Sequence, residues 1–168
     1  IQAFGEMDVL CTDKTGTLTE DKIVLEKYIN LHGEDDERIL RHAYLNSFFQ
    51  TGLKNLIDLT IINRAVENQM TDTPNFYERV DEIPFDFSRR RMSVVLIDKN
   101  GKRQLITKGA VEEMINISSF VELDGKVSPI DEEIRRATLD LYERHNREGL
   151  RMIAVAQKNE VPDTDTFS

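Results

Sequence analysis

Hydrophobic positions recur along this chain first at helical and then at strand spacing. Ile39, Leu40, Ala43 and Phe48 form a stripe behind the acids of residues 34–37, and acids in a first turn complement the helix dipole. A second helix is predicted from Asn55. Asn55 and Asp58 have the spacing of a capping box, and Leu56, Leu59, Ile62 and Val66 follow at helical intervals. From Val80 the period shortens to two. Residues 92–97 and 103–107 read as strands around Asn100-Gly101, a pair suited to a type I′ hairpin turn. Asp124-Gly125 repeats that signal between 120–123 and 126–127. A long helix is expected to open with Ser128 as cap, Pro129 at the first position and Asp131 closing the box. Its core face is Ile134, Ala137, Thr138, Leu141 and Tyr142, and Gly149 ends it. Residues 23–31 and 152–156 are further extended segments. Hairpins interleaved with helices imply an α+β fold, an antiparallel twisted sheet flanked by helices, over residues 21–157. Residues before it are expected in another sheet, and 158–168, with Pro162 and alternating Asp and Thr, read as a linker or tail.

Composition narrows the classes of function. The 168 residues are 39% hydrophobic, enough for one sizeable core or one domain plus part of another. No apolar run approaches the roughly 20 residues that span a bilayer, so the chain is not expected to be membrane-embedded itself. A net charge of -9 disfavours nonspecific binding to nucleic acid or anionic lipid. Against that background Arg89, Arg90, Arg91, Lys99, Lys102, Arg103 and Lys108 cluster around a single acid, Asp98, and point to an anionic ligand. Lys99, Lys102 and Arg103 are explained as solvated strand residues. Cys11, the lone cysteine, forbids an internal disulfide and is expected to pack as a small hydrophobe. His32, His42 and His145 lack metal-ligand spacing and read as ordinary helix or loop residues.

The chemistry lies in Asp13-Lys14-Thr15-Gly16-Thr17, which follows the apolar run Val9-Leu10-Cys11. A carboxylate at the carboxyl end of a buried strand sits where open α/β sheets present ligands, and such an Asp can attack phosphorus to form an aspartyl-phosphate. Gly16 permits close backbone approach, and the hydroxyls of Thr15 and Thr17 can donate to phosphate oxygens. With the flanks Cys11-Thr12 and Leu18-Thr19, this segment resembles the P-type ATPases, ion pumps that are phosphorylated on the Asp of this motif. The resemblance implies that Asp13 is phosphorylated, and that its carboxylate and the Thr15 carbonyl help hold Mg²⁺. Dehalogenase-type phosphatases share the nucleophile but carry a second Asp two residues on, as general acid and base. Thr15 occupies that position here, which favours a longer-lived phosphoenzyme and hence a pump.

The remainder of the chain is similar to the nucleotide-binding domain of that family. By the resemblance, Phe87 of Phe87-Ser88-Arg89 is a stacking platform for adenine, unless it is core like Phe85, which shares its face at strand period. Lys108 and Gly109 of Lys108-Gly109-Ala110 would serve the nucleotide. The Lys would reach a phosphate or adenine edge, and the Gly would remove a side chain that blocks the ligand. Arg151 of Gly149-Leu150-Arg151 would lie beside the polyphosphate, and Asp58 would either point toward the adenine amino group or cap its helix. A Lys common after the stacking Phe is replaced here by Arg90 or Arg91. Segments 50–56, 83–87 and 89–94 look most like bacterial magnesium-importing pumps, with a proton or calcium pump as the alternative.

The resemblance divides the chain into residues 1–20, a piece of phosphorylation domain, 21–157, the nucleotide-binding domain, and 158–168. It implies ATP and Mg²⁺ as cofactors, a cytoplasmic location on a bacterial inner-membrane protein, and the remaining phosphorylation, actuator and membrane domains of a parent pump as partners. The start at Ile1 rather than Met suggests a fragment, which would bind nucleotide without turning it over. A stand-alone nucleotide-binding module and a phosphatase fragment are the other readings.

Overall fold

The computed structural model describes residues 4–17, 20–30, 34–123 and 126–159; for residues 4–27, 56, 122, 123, 127, 150 and 151 it describes the backbone and not the side chains. In chain order the elements are β1 (Phe4–Thr17), β2 (Glu20–Ile29), α1 (Glu37–Phe49), α2 (Leu56–Glu67), a 3₁₀ turn (Thr73–Phe76), β3 (Tyr77–Asp86), β4 (Arg91–Asp98), β5 (Arg103–Ala110), α3 (Val111–Ile117), β6 (Ser118–Leu123), β7 (Lys126–Pro129), α4 (Glu132–Arg147) and β8 (Leu150–Lys158). The eight strands form one sheet in the order β3-β4-β5-β8-β1-β6-β7, with β2 also paired to β1. All pairings are antiparallel except β1 with β6. The α+β fold expected from the residue pattern is the fold observed.

Helices cover both faces of the sheet, and β8 shows why. Its Ile153 and Val155 pack in one cluster with Ile39, Leu40 and Ala43 of α1 and with Ile61 and Ala65 of α2. Met152, Ala154 and Ala156 point the other way, to Val111, Met114 and Ile115 of α3 and Leu141 of α4. The period-two alternation of a strand thus feeds two cores.

Several local expectations are corrected. Residues before Asp21 do not form a separate sheet: β1 lies between β8 on one side and β2 and β6 on the other, which gives hydrogen-bond partners to both edges of a long strand. The buried face of α2 is Asp58, Ile61 and Ala65, whereas Leu59 and Val66 are about half exposed. A charged residue directs that helix inward, which hydrophobic periodicity cannot register. In α1, Ile39, Leu40 and Ala43 are buried as expected, but Phe48 is 45% exposed and rests edge-on against Tyr44 and Phe49. The cap of α4 is Asp131, whose side chain accepts from the Ile134 amide; Ser128 and Pro129 are paired in β7 with Val121 and Phe120. Along α4, Thr138, Leu141 and His145 are buried while Ala137 is exposed.

At the β4–β5 turn only Gly101 has positive φ, at 81°. The Gly101 amide donates to the Asp98 carbonyl, and the Asp98 carboxylate accepts from the amides of Asn100 and Lys102, so a left-handed glycine follows a type I turn and type I′ is not formed. The Asp98 side chain supplies the acceptor that selects this loop. Asp124-Gly125, Leu18-Thr19, His32 and residues 160–168 lie outside the described residues, although Leu123 and Lys126 pair as a hairpin across 124–125.

Candidate nucleotide site

Two features of the helix pair set the floor of the site. Asn55 caps α2: its side chain accepts from the Asp58 amide at 2.8 Å, and the Asp58 carboxylate accepts from the Asn55 amide at 3.2 Å. Lys54 closes the preceding helix by donating to the carbonyls of Ser47, Phe48 and Gln50, where α1 leaves acceptors unpaired. The two helix ends therefore meet at one point, and the carboxylate of Asp58 projects from it toward the sheet.

Lys108 meets that carboxylate from β5. Its ammonium donates to Oδ1 of Asp58 and, at 2.9 Å, to Oγ of Ser47; the amide of Gln50 donates to Oδ2 of Asp58 at 2.7 Å. Both charges are buried, with 2% and 7% of Asp58 and Lys108 exposed. Burial alone would raise the Asp58 carboxyl, but the Lys108 charge and the hydrogen bonds from Lys108, Ser47 and Gln50 outweigh it and hold the group below the usual carboxylate range. Burial lowers the Lys108 ammonium, and Asp58 opposes that shift. The result is a paired, internally neutral floor. Asp58 both caps and holds Lys108, so its carboxylate is committed within the protein.

Above this floor opens a cavity of about 570 Å³, within the range of small-molecule sites. Its walls come from the α1–α2 loop, the end of β3, Arg90 and Met92, the Lys108-Gly109-Ala110 end of β5, and Tyr142 and Asn146 of α4. Thr51 is tied to β3 across the rim, its amide donating to Glu82 at 3.0 Å and its hydroxyl to the other Glu82 oxygen.

The segment after β3 is built to push aromatic surface outward. The Asp86 carboxylate accepts from the amides of Ser88 and Arg89 and from the Arg89 side chain, and those bonds hold it below the usual carboxylate range. The Arg90 backbone is left-handed at φ 49°, with its amide donating to the Asp86 carbonyl and its carbonyl accepting from Ala110. That turn leaves Phe87 89% exposed, edge-on to Phe85 at 5.2 Å between ring centroids. Phe85, itself 52% exposed, lines the cavity. The reading of Phe87 as core is thereby excluded, because strand alternation ends at Asp86.

Gly109 has a reason within the fold itself. A Cβ there would stand 2.7 Å from both the Arg90 carbonyl oxygen and the Arg91 Cβ, so the neighbouring strand requires glycine whatever a ligand needs.

Of the residues singled out in the sequence, Asp58, Lys108 and Gly109 line the cavity, and Phe87 adjoins it through Phe85. Arg89 is engaged by Asp86. Between the two candidate arginines, Arg90 lines the cavity, 3.3 Å from Glu113, while Arg91 is paired in the ladder opposite Gly109. Arg151 is opposite Thr12, and Asp13 opposite Leu150, at the last pair joining β1 to β8. Asp13-Lys14-Thr15-Gly16-Thr17 continue β1 alongside β2, so the backbone is extended there and the strand does not end before the Asp. The side chains of Asp13, Lys14, Thr15, Thr17 and Arg151 lie outside the described set. Ser47, Gln50 and Glu82 were not singled out as ligands. Their polar contacts are long-range or loop-borne, and no local spacing signals them.

Among the described residues no helix is long and apolar enough to cross a membrane, and no group of three His, Cys, Asp or Glu is placed to hold a metal. Comparison with known proteins matches residues 9–167 to the P-type ATPase cytoplasmic domain N. The chain is 48% identical over 158 residues to "Magnesium-transporting ATPase, P-type 1" of Escherichia coli K12, covering 94% of this chain and 18% of the relative. It is 46% identical to the protein of that name in Salmonella typhimurium, with the same coverage. To "Calcium-transporting ATPase 1" of Bacillus cereus it is 26% identical, over 94% of this chain and 20% of the relative. The chain thus spans about a fifth of these relatives. It belongs to the P-type ATPase family, as the cytoplasmic domain N.

Proposed function

We propose that this chain is the ATP-binding domain of a magnesium-importing P-type ATPase, delivering the γ-phosphate of ATP to Asp13. The observation that carries the reading is an open cavity with an exposed aromatic ring at its mouth and a buried lysine at its floor. Adenine is held by stacking on Phe87, for about 1 to 3 kcal/mol. Lys108 has used two of its three N–H donors on Ser47 and Asp58, and its charge is already matched, so it suits a base edge better than a polyphosphate. Arg90, which also meets Glu112 and Glu113, and Arg151 are the cations offered to the phosphates, with Arg89 positioning the turn that carries Phe87. Magnesium as the cargo rests on the 46 to 48% identity to proteins of that name, against 26% for the calcium-transporting relative.

In the complete pump the Asp13 carboxylate would attack the γ-phosphorus while the bond to the ADP oxygen breaks, and ADP would leave. Mg²⁺, held by the Asp13 carboxylate, the Thr15 carbonyl and the phosphates, would neutralise charge there, with Lys14 and Thr17 as further donors. Residues 1–20 then belong functionally to the phosphorylation domain, 21–157 to the nucleotide domain and 158–168 to a linker or tail. The partners are the remaining phosphorylation, actuator and membrane domains, and the location is the cytoplasmic side of a bacterial inner membrane.

Titration of ATP followed by NMR tests the site. The expected Kd is on the order of 10⁻⁴ to 10⁻³ M, with shifts centred on Phe87, Lys108, Gly109 and Arg151. Shifts confined to residues 13–17 would overturn it.

A further inference from the structure

Gln50 is the half-buried last residue before the α1–α2 loop, and its amide is not free to turn. Nε2 donates to Oδ2 of Asp58 at 2.7 Å, and that carboxylate has no proton to give, so the acceptor end of the amide must face elsewhere. Oε1 has no hydrogen-bond partner among the described residues, and Gln50 is part of the cavity wall. Beside it, the Lys108 ammonium keeps one unused N–H after Ser47 and Asp58. One acceptor and one donor therefore belong to two cavity-lining residues that are held by the two oxygens of the same carboxylate.

We propose that Gln50 is the residue that selects adenine, its Oε1 accepting from the 6-amino group while Lys108 donates to N1. Adenine presents a donor at position 6 and an acceptor at N1, the complement of this pair. A 6-oxopurine in the same pose sets its carbonyl against Oε1 and its N1–H against the ammonium, so both contacts become repulsive. Asp58 matters here as the orienter. Without its hold on Nε2 the amide could flip and accept either purine, so preference arises from the network and not from Gln50 alone.

The inference rests on the cavity being the ATP site, and its test separates the two. Kd values of the wild-type chain are measured for ATP, purine riboside triphosphate, which lacks the 6-amino group, and inosine triphosphate. ATP is expected to bind tightest and inosine triphosphate weakest, by on the order of tenfold, as one hydrogen bond is lost and an acceptor is set against an acceptor. In Gln50→Met, ATP and purine riboside triphosphate should converge. A uniform loss for all three nucleotides would mean that Gln50 only supports Asp58, and would overturn the assignment. So would equal wild-type affinity for the three, a result independent of any variant. If wild-type chain binds no ATP, the nucleotide-site reading itself falls, whereas ATP binding without discrimination removes only the role of Gln50.

Discussion

The carbonyl oxygen of Arg90 lies 2.7 Å from where a Cβ on residue 109 would stand, and the adjacent Ala110 amide donates to that same carbonyl at 3.1 Å. The end of β5 and the turn that carries Phe87 are therefore locked together. Arg90 accepts a left-handed backbone, uncommon for a side-chain-bearing residue, to make this contact.

Gly109→Ala should separate the two segments. The obstructing atoms are backbone oxygen and Cβ, neither of which can swing away, so the overpacking cost should be about 1 to 3 kcal/mol. Chemical denaturation and ATP titration of the same variant should both worsen. An unchanged melting temperature would show that the strands move apart freely.

Phe87→Ala should lower ATP affinity roughly 5-fold to 150-fold and leave stability within about 0.5 kcal/mol, since the ring is 89% exposed. Phe85→Ala should cost less than the roughly 3 to 5 kcal/mol of a core phenylalanine, because half of that ring is in solvent. Thermal melts of both variants check this. A collapse in Phe87→Ala would contradict the exposed position.

Lys108→Met leaves the Asp58 carboxylate buried beside Ser47 and Gln50 without its countercharge, and should destabilise by about 3 to 5 kcal/mol. The Lys108→Met, Asp58→Asn pair should cost less than the sum of the single changes, since neither charge is then stranded. Additive losses in a denaturant double-mutant cycle would deny the coupling.

His42 is buried against α1 neighbours Arg38 and Arg41, and its Nδ1 has no hydrogen-bond partner. Burial first, and the two arginines second, push its pKa down to about 3. The folded protein thus holds His42 neutral, while the unfolded chain takes up a proton below about pH 6.5. Stability should be full above that pH and fall by about 1.4 kcal/mol per pH unit as pH drops toward 3. The lowered Asp58 carboxyl adds loss in the same direction as pH falls through its folded value. Replacing His42 with Leu should flatten the slope between pH 6 and 4, as read from urea midpoints; an unchanged slope would assign it to carboxylates alone.

Isolated chain, with or without Asp13→Asn, should show equal ATP affinity and no turnover, because phosphoryl transfer depends on groups positioned around the γ-phosphate by the whole pump. A phosphate-release assay checks this, and turnover abolished by Asp13→Asn would contradict it.

The residues by themselves determine the α+β class, the Asn55 capping box, the turn positions at Gly101 and Gly149, and the family, through Asp13-Lys14-Thr15-Gly16-Thr17 and Lys108-Gly109-Ala110. Each of these is a local signal, carried by neighbours in the chain or by a short fixed spacing. Only the tertiary structure decides that Asp58 faces inward to Lys108, because that partner is fifty residues away and the capping-box spacing signals only the helix end. It alone decides that Phe87 is exposed and Leu59 outward, and that Gly109 serves Arg90. Side-chain periodicity specifies which positions share a face, but the choice of face depends on the charges and backbone atoms that the fold brings opposite it.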